Sequence, residues 1–209
     1  MSYDYSENIL VQESAGHLLV DELGWQVELA YNQEVLGENG TFGRSSYKDI
    51  LLVRYFQKAL RTLNPWITDA QVTEAQNTFE KHLSSASLMQ INEEKYAYIR
   101  DGIPVTEKKP NGQTEEKRAI IIDFQHPNDM ERNHFLAVKE MKIHGDLYRR
   151  RTDIVGFVNG IPLLFIELKK NSVDVQNAYT DNYTDYLDTI PQLFYYNAFL
   201  MLSLSLIHI

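Results

Sequence analysis

Two apolar runs joined by Asn159-Gly160 constrain this chain more than any other feature. Ile154-Val155-Gly156-Phe157-Val158 precedes the dipeptide and Ile161-Pro162-Leu163-Leu164-Phe165-Ile166-Glu167-Leu168 follows it. Asn-Gly between hydrophobic runs is a strong hairpin signal, because the favoured short connection needs positive φ at its turn residues. The two runs, 151–158 and 161–168, are the strongest strands in the sequence. Three charged residues, Asp153, Glu167 and Lys169, lie within them or at their edge. Burying an unpaired charge is expensive. A hairpin that keeps three of them has a use for them.

The parity of the turn decides whether they meet. A strict two-residue loop sets Asp153 opposite Ile166 and sends Asp153 and Glu167 to opposite faces. A three-residue or bulged loop with Gly160 in the left-handed conformation sets all three charged residues on one face. The second arrangement is expected. Two carboxylates on one face suit a hard cation such as Mg²⁺, which takes few carboxylates and keeps waters. Lys169 lands beside them, placed to orient a water or steady a developing negative charge. The spacing alone is also what a surface aspartate and an exposed Glu/Lys pair would give. The apolar frame, the turn and the adjacent Arg149-Arg150-Arg151 favour the functional reading.

Elsewhere the pattern mixes helix and strand. A helix is expected over 7–23, ended by Gly24, and a strand or extended arm over 25–31. A glycine-rich loop follows over 37–45. Helices are expected over 47–63, broken by Pro65, and over 69–83 with Thr68 as N-cap. Strands are expected at 96–99, 105–106, 119–124 and 135–138, with a hairpin tip over 108–116. A further helix is expected over 174–187, and 193–204 fits helix or strand. Helices and strands in one chain argue for an α/β or α+β sheet domain. No internal boundary is visible.

The residues of the hairpin resemble the PD-(D/E)xK nuclease core. More narrowly, they resemble the N-terminal nuclease domain of the type I restriction enzyme R (restriction/translocation) subunit. That family shows an R-x-D strand, an N-G-x-P turn and an E-L-K strand. Here they stand as Arg151-Thr152-Asp153, Asn159-Gly160-Ile161-Pro162 and Glu167-Leu168-Lys169. Thr152 replaces the commonest proline. The resemblance runs from about residue 7 to residue 203, through Leu23-Gly24-Trp25, Ile122-Asp123-Phe124 and Ile190 to Asn197. It implies a mixed central sheet flanked by helices, with a helical insertion at about 47–90 and a nuclease domain over 1–203.

The resemblance also implies Asp153 and Glu167 as metal ligands, the Leu168 carbonyl as a third, and Lys169 as the catalytic lysine. Glu13 matches a family acid that approaches the metal; a plain solvated helix glutamate would look the same. Many members carry Q-x-x-x-Y after the core. The nearest match here is Asn182 to Tyr186, in which the shorter amide weakens the supporting role. The implied activity is Mg²⁺-dependent endonuclease cleavage of double-stranded DNA. In a full protein it would be coupled to ATP-dependent translocation by later domains and directed by methyltransferase and specificity subunits. Two rivals are a non-catalytic nuclease-fold module that docks those subunits and a stand-alone repair nuclease of the same fold.

Composition bounds the rest. Acids outnumber bases by 29 to 20, for a net charge of −9, so bulk positive charge cannot bind DNA. Any contact must be local, and Arg149, Arg150, Arg151 and Lys170, with Lys139 and Lys142, are the candidates. The absence of cysteine excludes disulfides, zinc–thiolate sites and thiol nucleophiles. His126, His134 and His144 show no metal-ligand spacing. No G-x-x-x-x-G-K-[ST] loop is present, so ATP is expected to act only through domains outside this chain. No signal peptide and no membrane span are visible, and a cytoplasmic location is expected. The family continues with Ser-Asn-Gly where residues 204–209 read Leu-Ser-Leu-Ile-His-Ile, so the chain is expected to be an N-terminal fragment with an atypical tail.

Overall fold

The computed structural model describes residues 7–169 and 184–204. Its centre is a five-stranded mixed sheet in the order β1-β4-β7-β8-β9. The strands are β1 (Gln26–Leu29), β4 (Phe135–Lys139), β7 (Ile154–Val158), β8 (Ile161–Lys169) and β9 (Phe199–Leu204). The β1/β4 and β8/β9 pairs are parallel, and β4/β7 and β7/β8 are antiparallel. Two ribbons stand beside the sheet: β2 (Ile103–Lys108) with β3 (Thr114–Ala119), and β5 (Lys142–His144) with β6 (Arg149–Arg151).

The helices are α1 (Glu7–Asp21), α2 (Val53–Leu63), α3 (Asp69–Glu80), α4 (Leu88–Asp101) and α5 (Thr184–Thr189), with a 3₁₀ turn at Pro191–Phe194. This is the α+β architecture expected, a mixed sheet flanked by helices and consistent with a nuclease-like fold. No helix among the described residues is long and apolar enough to cross a membrane.

Strand alternation gives the sheet two buried faces. On one, Leu19 of α1 packs on Ala137, Ile154, Ile166 and Leu168. On the other, Tyr186, Ile190, Leu193 and Phe194 pack on Leu136, Val138, Val155, Phe157 and Phe165. A third cluster joins α2, α3 and β2–β3 to the hairpin end of the sheet through Phe56, Phe79, Val105, Val158 and Ile161.

The central hairpin solves the parity problem in an unforeseen place. Its turn has two residues, Asn159 at φ 52° and Gly160 at φ 81°, both positive as the mirror-image turn requires. The extra residue lies in the ladder instead. Val158 pairs with Ile161 and Phe157 with Pro162, but Gly156 pairs with Leu164, leaving Leu163 bulged from β8. Gly156 is needed there, since a Cβ would sit 2.8 Å from the Trp25 ring. The bulged residue is held by β9's approach, with the Leu163 carbonyl accepting from Ala198 N at 2.9 Å.

Several local expectations fail. Residues 96–99 belong to α4, not to a strand. Ser87 and Gln90 form a capping box at its start and Gly102 ends it at positive φ, and these outweigh the aromatic and β-branched content. Residues 120–124 form no strand after β3, with Ile121, Ile122 and Asp123 buried and Ile120 and Phe124 exposed, and α2 begins at Val53 rather than 47. The β5–β6 ribbon was not foreseen. The expected helix over 174–187 lies outside the described residues up to 183, and its end is α5. Residues 193–204 divide into the 3₁₀ turn and β9.

Candidate functional site

Ile154 pairs with Ile166, so one step beyond the last ladder pair Asp153 stands opposite Glu167. The expected shared face is therefore real, and the bulge at Leu163 produces it. Glu167 is only 3% exposed, and Asp153 is half-buried. The Leu168 backbone N–H donates to Asp153 Oδ2 at 2.7 Å. That bond turns the aspartate across the hairpin toward Glu167 and Leu168. From α1, Gln12 Nε2 donates to Asp153 Oδ1 at 2.8 Å. Gln12 is buried, and nothing in its sequence context marks it.

Tyr186 closes the site from α5. Its ring is buried edge-on to Phe165, and its hydroxyl donates to the Arg151 carbonyl at 3.4 Å. Burial, then the charges of Glu167 and Asp153 and a hydrogen bond with Glu167, push its pKa far above the ordinary tyrosine value. Both carboxylates thus lie within electrostatic reach of one hydroxyl, which stays protonated and serves as a donor. Asn182, the other residue of the N-x-x-x-Y pattern, lies outside the described residues. So does Lys170, and of Lys169 only the backbone is described, at the end of β8.

Glu13 points elsewhere than Gln12. Its Oε1 accepts from Lys139 Nζ at 2.6 Å, and Lys139 is buried where its stem passes Gly16. Among the described residues no three His, Cys, Asp or Glu side chains converge. The donor set is the pair Asp153 and Glu167. Such a pair fits a hard divalent cation that takes one or two carboxylates and fills its remaining positions with water or phosphate oxygens. Two facing acids, one of them buried, are costly without a cation between them.

The three arginines have separate environments. Arg150 is held by Asp185 of α5 through two bonds of 2.7 and 2.9 Å. Arg151 lies 3.6 Å from Glu140 and over the Tyr31 ring. Arg149 is exposed and forms no ion pair among the described residues. Lys142 donates to Asn32 Oδ1 at 3.1 Å. His126 does have an acid partner, Asp123 Oδ2 at 3.1 Å, in a loop also tied by Arg132. His134 stacks on Tyr55, and His144 lies against Tyr47.

Residues 4–204 match the family described as type I restriction enzyme R protein N terminus. The chain is 31% identical over 188 residues to the type I restriction enzyme HindI endonuclease subunit of Haemophilus influenzae, covering 88% of this chain and 17% of that protein. It is 30% identical over 165 residues to a putative type I restriction enzyme MjaIXP endonuclease subunit of Methanocaldococcus jannaschii, covering 77% of this chain and 15% of that protein. The chain therefore spans about a sixth of the length of these relatives.

Proposed function

The chain belongs to the family of type I restriction enzyme R protein N-terminal domains, and from that premise we propose that it is a Mg²⁺-dependent endonuclease domain acting on double-stranded DNA. The observation that carries the reading is the register-enforced pairing of Asp153 with a buried Glu167. A platform that only docked partners would gain by an apolar residue at 167.

In this reading Asp153 and Glu167 hold Mg²⁺, with the Leu168 carbonyl beside them. When bound, the ion supplies charge neutralisation at the scissile phosphate. Gln12 and the Leu168 N–H fix the Asp153 carboxylate. Tyr186, kept protonated, sets its hydroxyl beside Glu167 and helps to orient it. Lys169, two positions beyond Glu167 in β8, supplies positive charge as the phosphodiester oxygens become more negative. In the full protein, located in the cytoplasm, ATP-driven translocation by further domains delivers the DNA, and methyltransferase and specificity subunits choose the site.

Metal-dependent plasmid nicking by this chain, lost in Asp153→Ala and Lys169→Ala, tests the reading. Isothermal titration with Mg²⁺ supplies a readout independent of the motor. Mg²⁺ binding that survives Asp153→Ala unchanged would sink it.

A further inference from the structure

The β5–β6 ribbon is built as a rigid prong. Gly145 N–H donates to the Tyr148 carbonyl at 2.9 Å and closes its turn. His144 N–H donates to the Tyr47 carbonyl at 2.9 Å, and Gln192 Nε2 donates to the His144 carbonyl at 2.9 Å. Gly145 lies so close to α5 that a Cβ would meet the Thr189 carbonyl oxygen at 1.9 Å. The Arg150–Asp185 pair fastens the second strand to the same helix.

Its tip is what a soluble surface normally avoids. Leu147 is 87% exposed and Tyr148 51%. Cations gather around it in a chain whose net charge is −9. Burial lowers the pKa of His144, and the cations Arg149, Arg44, Lys142 and Lys48 lower it further, as a positive local field does. Of these, Arg44 is buried on Glu34 and Lys48 pairs with Asp146 at 2.9 Å between exposed side chains, a weak bond. Asp188 lines the same cleft of about 380 Å³. Arg149 is therefore the cation most available to an outside anion.

We propose that this ribbon is the DNA-engaging prong of the domain: Arg149 takes a backbone phosphate, and the Leu147–Tyr148 tip packs into a groove of the duplex. A two-stranded ribbon fits the major groove, and apolar tips commonly pack against bases or sugars. Arg150 and Arg151 serve the ribbon itself and contact no phosphate. Arg149 precedes Asp153 by four residues, at most about 14 Å of extended chain. That is about four base-pair steps at ~3.4 Å each, so one bound duplex reaches both.

This inference rests on the nuclease reading, but its test is separable. Binding of a fluorescent duplex by the whole chain is followed by anisotropy in chelator at several salt concentrations, where cleavage plays no part. Arg149→Ala is expected to weaken binding about fivefold and to reduce the slope of log affinity against log salt by about one. Leu147→Ala is expected to weaken binding with the slope unchanged. Lys108→Ala, on the β2–β3 ribbon, is expected to bind as the parent does. Both ribbon positions are exposed, and matching melting curves verify the fold. The proposal is overturned if the parent chain binds no duplex, if both ribbon variants bind as it does, or if Lys108→Ala loses as much as Arg149→Ala. Ribbon-dependent binding without any metal-dependent nicking would sink the nuclease reading alone.

Discussion

Gln12 Nε2 reaches Asp153 Oδ1 at 2.8 Å across 141 positions of sequence, so the first helix of the chain fixes an acid at the edge of its central hairpin. A carboxylate that must hold a cation loses affinity when it can rotate, and partners of this kind are typically worth about 10–100-fold. Gln12→Ala is expected to lower Mg²⁺ affinity and nicking about tenfold, while stability falls by about 1 kcal/mol. Calorimetric titration and urea unfolding separate the two effects. Unchanged Mg²⁺ affinity would remove Gln12 from the site.

Tyr186→Phe keeps the ring packed on Phe165 and deletes only the hydroxyl that faces Glu167. A stability loss of about 1 kcal/mol is expected from the lost hydrogen bond, with a larger relative loss of cleavage than of DNA binding. Denaturant midpoints and nicking rates check this. Equal rates for parent and variant would leave Tyr186 a packing residue.

The Arg44 guanidinium and Glu34 carboxylate form a buried double hydrogen bond of 2.8 and 2.5 Å, with side-chain exposures of 0 and 3%. Arg44 also donates to the carbonyls of Asp49 and Lys142, tying the loop before α2 to the ribbon. Glu34→Ala strands a buried charge and is expected to cost about 3–5 kcal/mol. Replacing both partners by Met and Leu is expected to cost less than the single change. A double-mutant cycle in urea measures the difference.

Acid sensitivity should trace to Asp123. The Arg132 guanidinium, with His126 and two backbone N–H groups, outweighs burial and holds this carboxyl well below the usual range. The folded state therefore releases the proton more readily than the unfolded chain. The stabilisation is complete above the unfolded value of about 3.9 and is lost as pH falls through the lower folded value. Melting temperature is expected to drop with acidification below about pH 4, and Asp123→Asn should flatten that dependence. A parallel decline in the variant would place the effect elsewhere.

Much of the site was legible because it rests on strand periodicity and turn chemistry. Asn159-Gly160 marks the hairpin, and Asp153 and Glu167 in its apolar frame mark the face they share. What escaped depends on distance. Gln12 finds its acid only through the docking of α1, and no spacing encodes that meeting. The β5–β6 strands are three residues each, Lys-Ile-His and Arg-Arg-Arg, too short and polar for an alternation signal. Tyr96 to Ile99 has strand-forming side chains, but Ser87, Gln90 and Gly102 decide the backbone. The bulge was invisible because Leu163 is one apolar residue among many, singled out only by β9 beside it.

Leu163 works as a parity switch. Were it drawn into the ladder opposite Gly156, β8 would present Ile166 toward Tyr186 and would drive Glu167 into the oily layer beneath Leu19. The looping-out of a single residue thus separates a hairpin able to cradle a cation from one that buries a lone carboxylate against hydrocarbon.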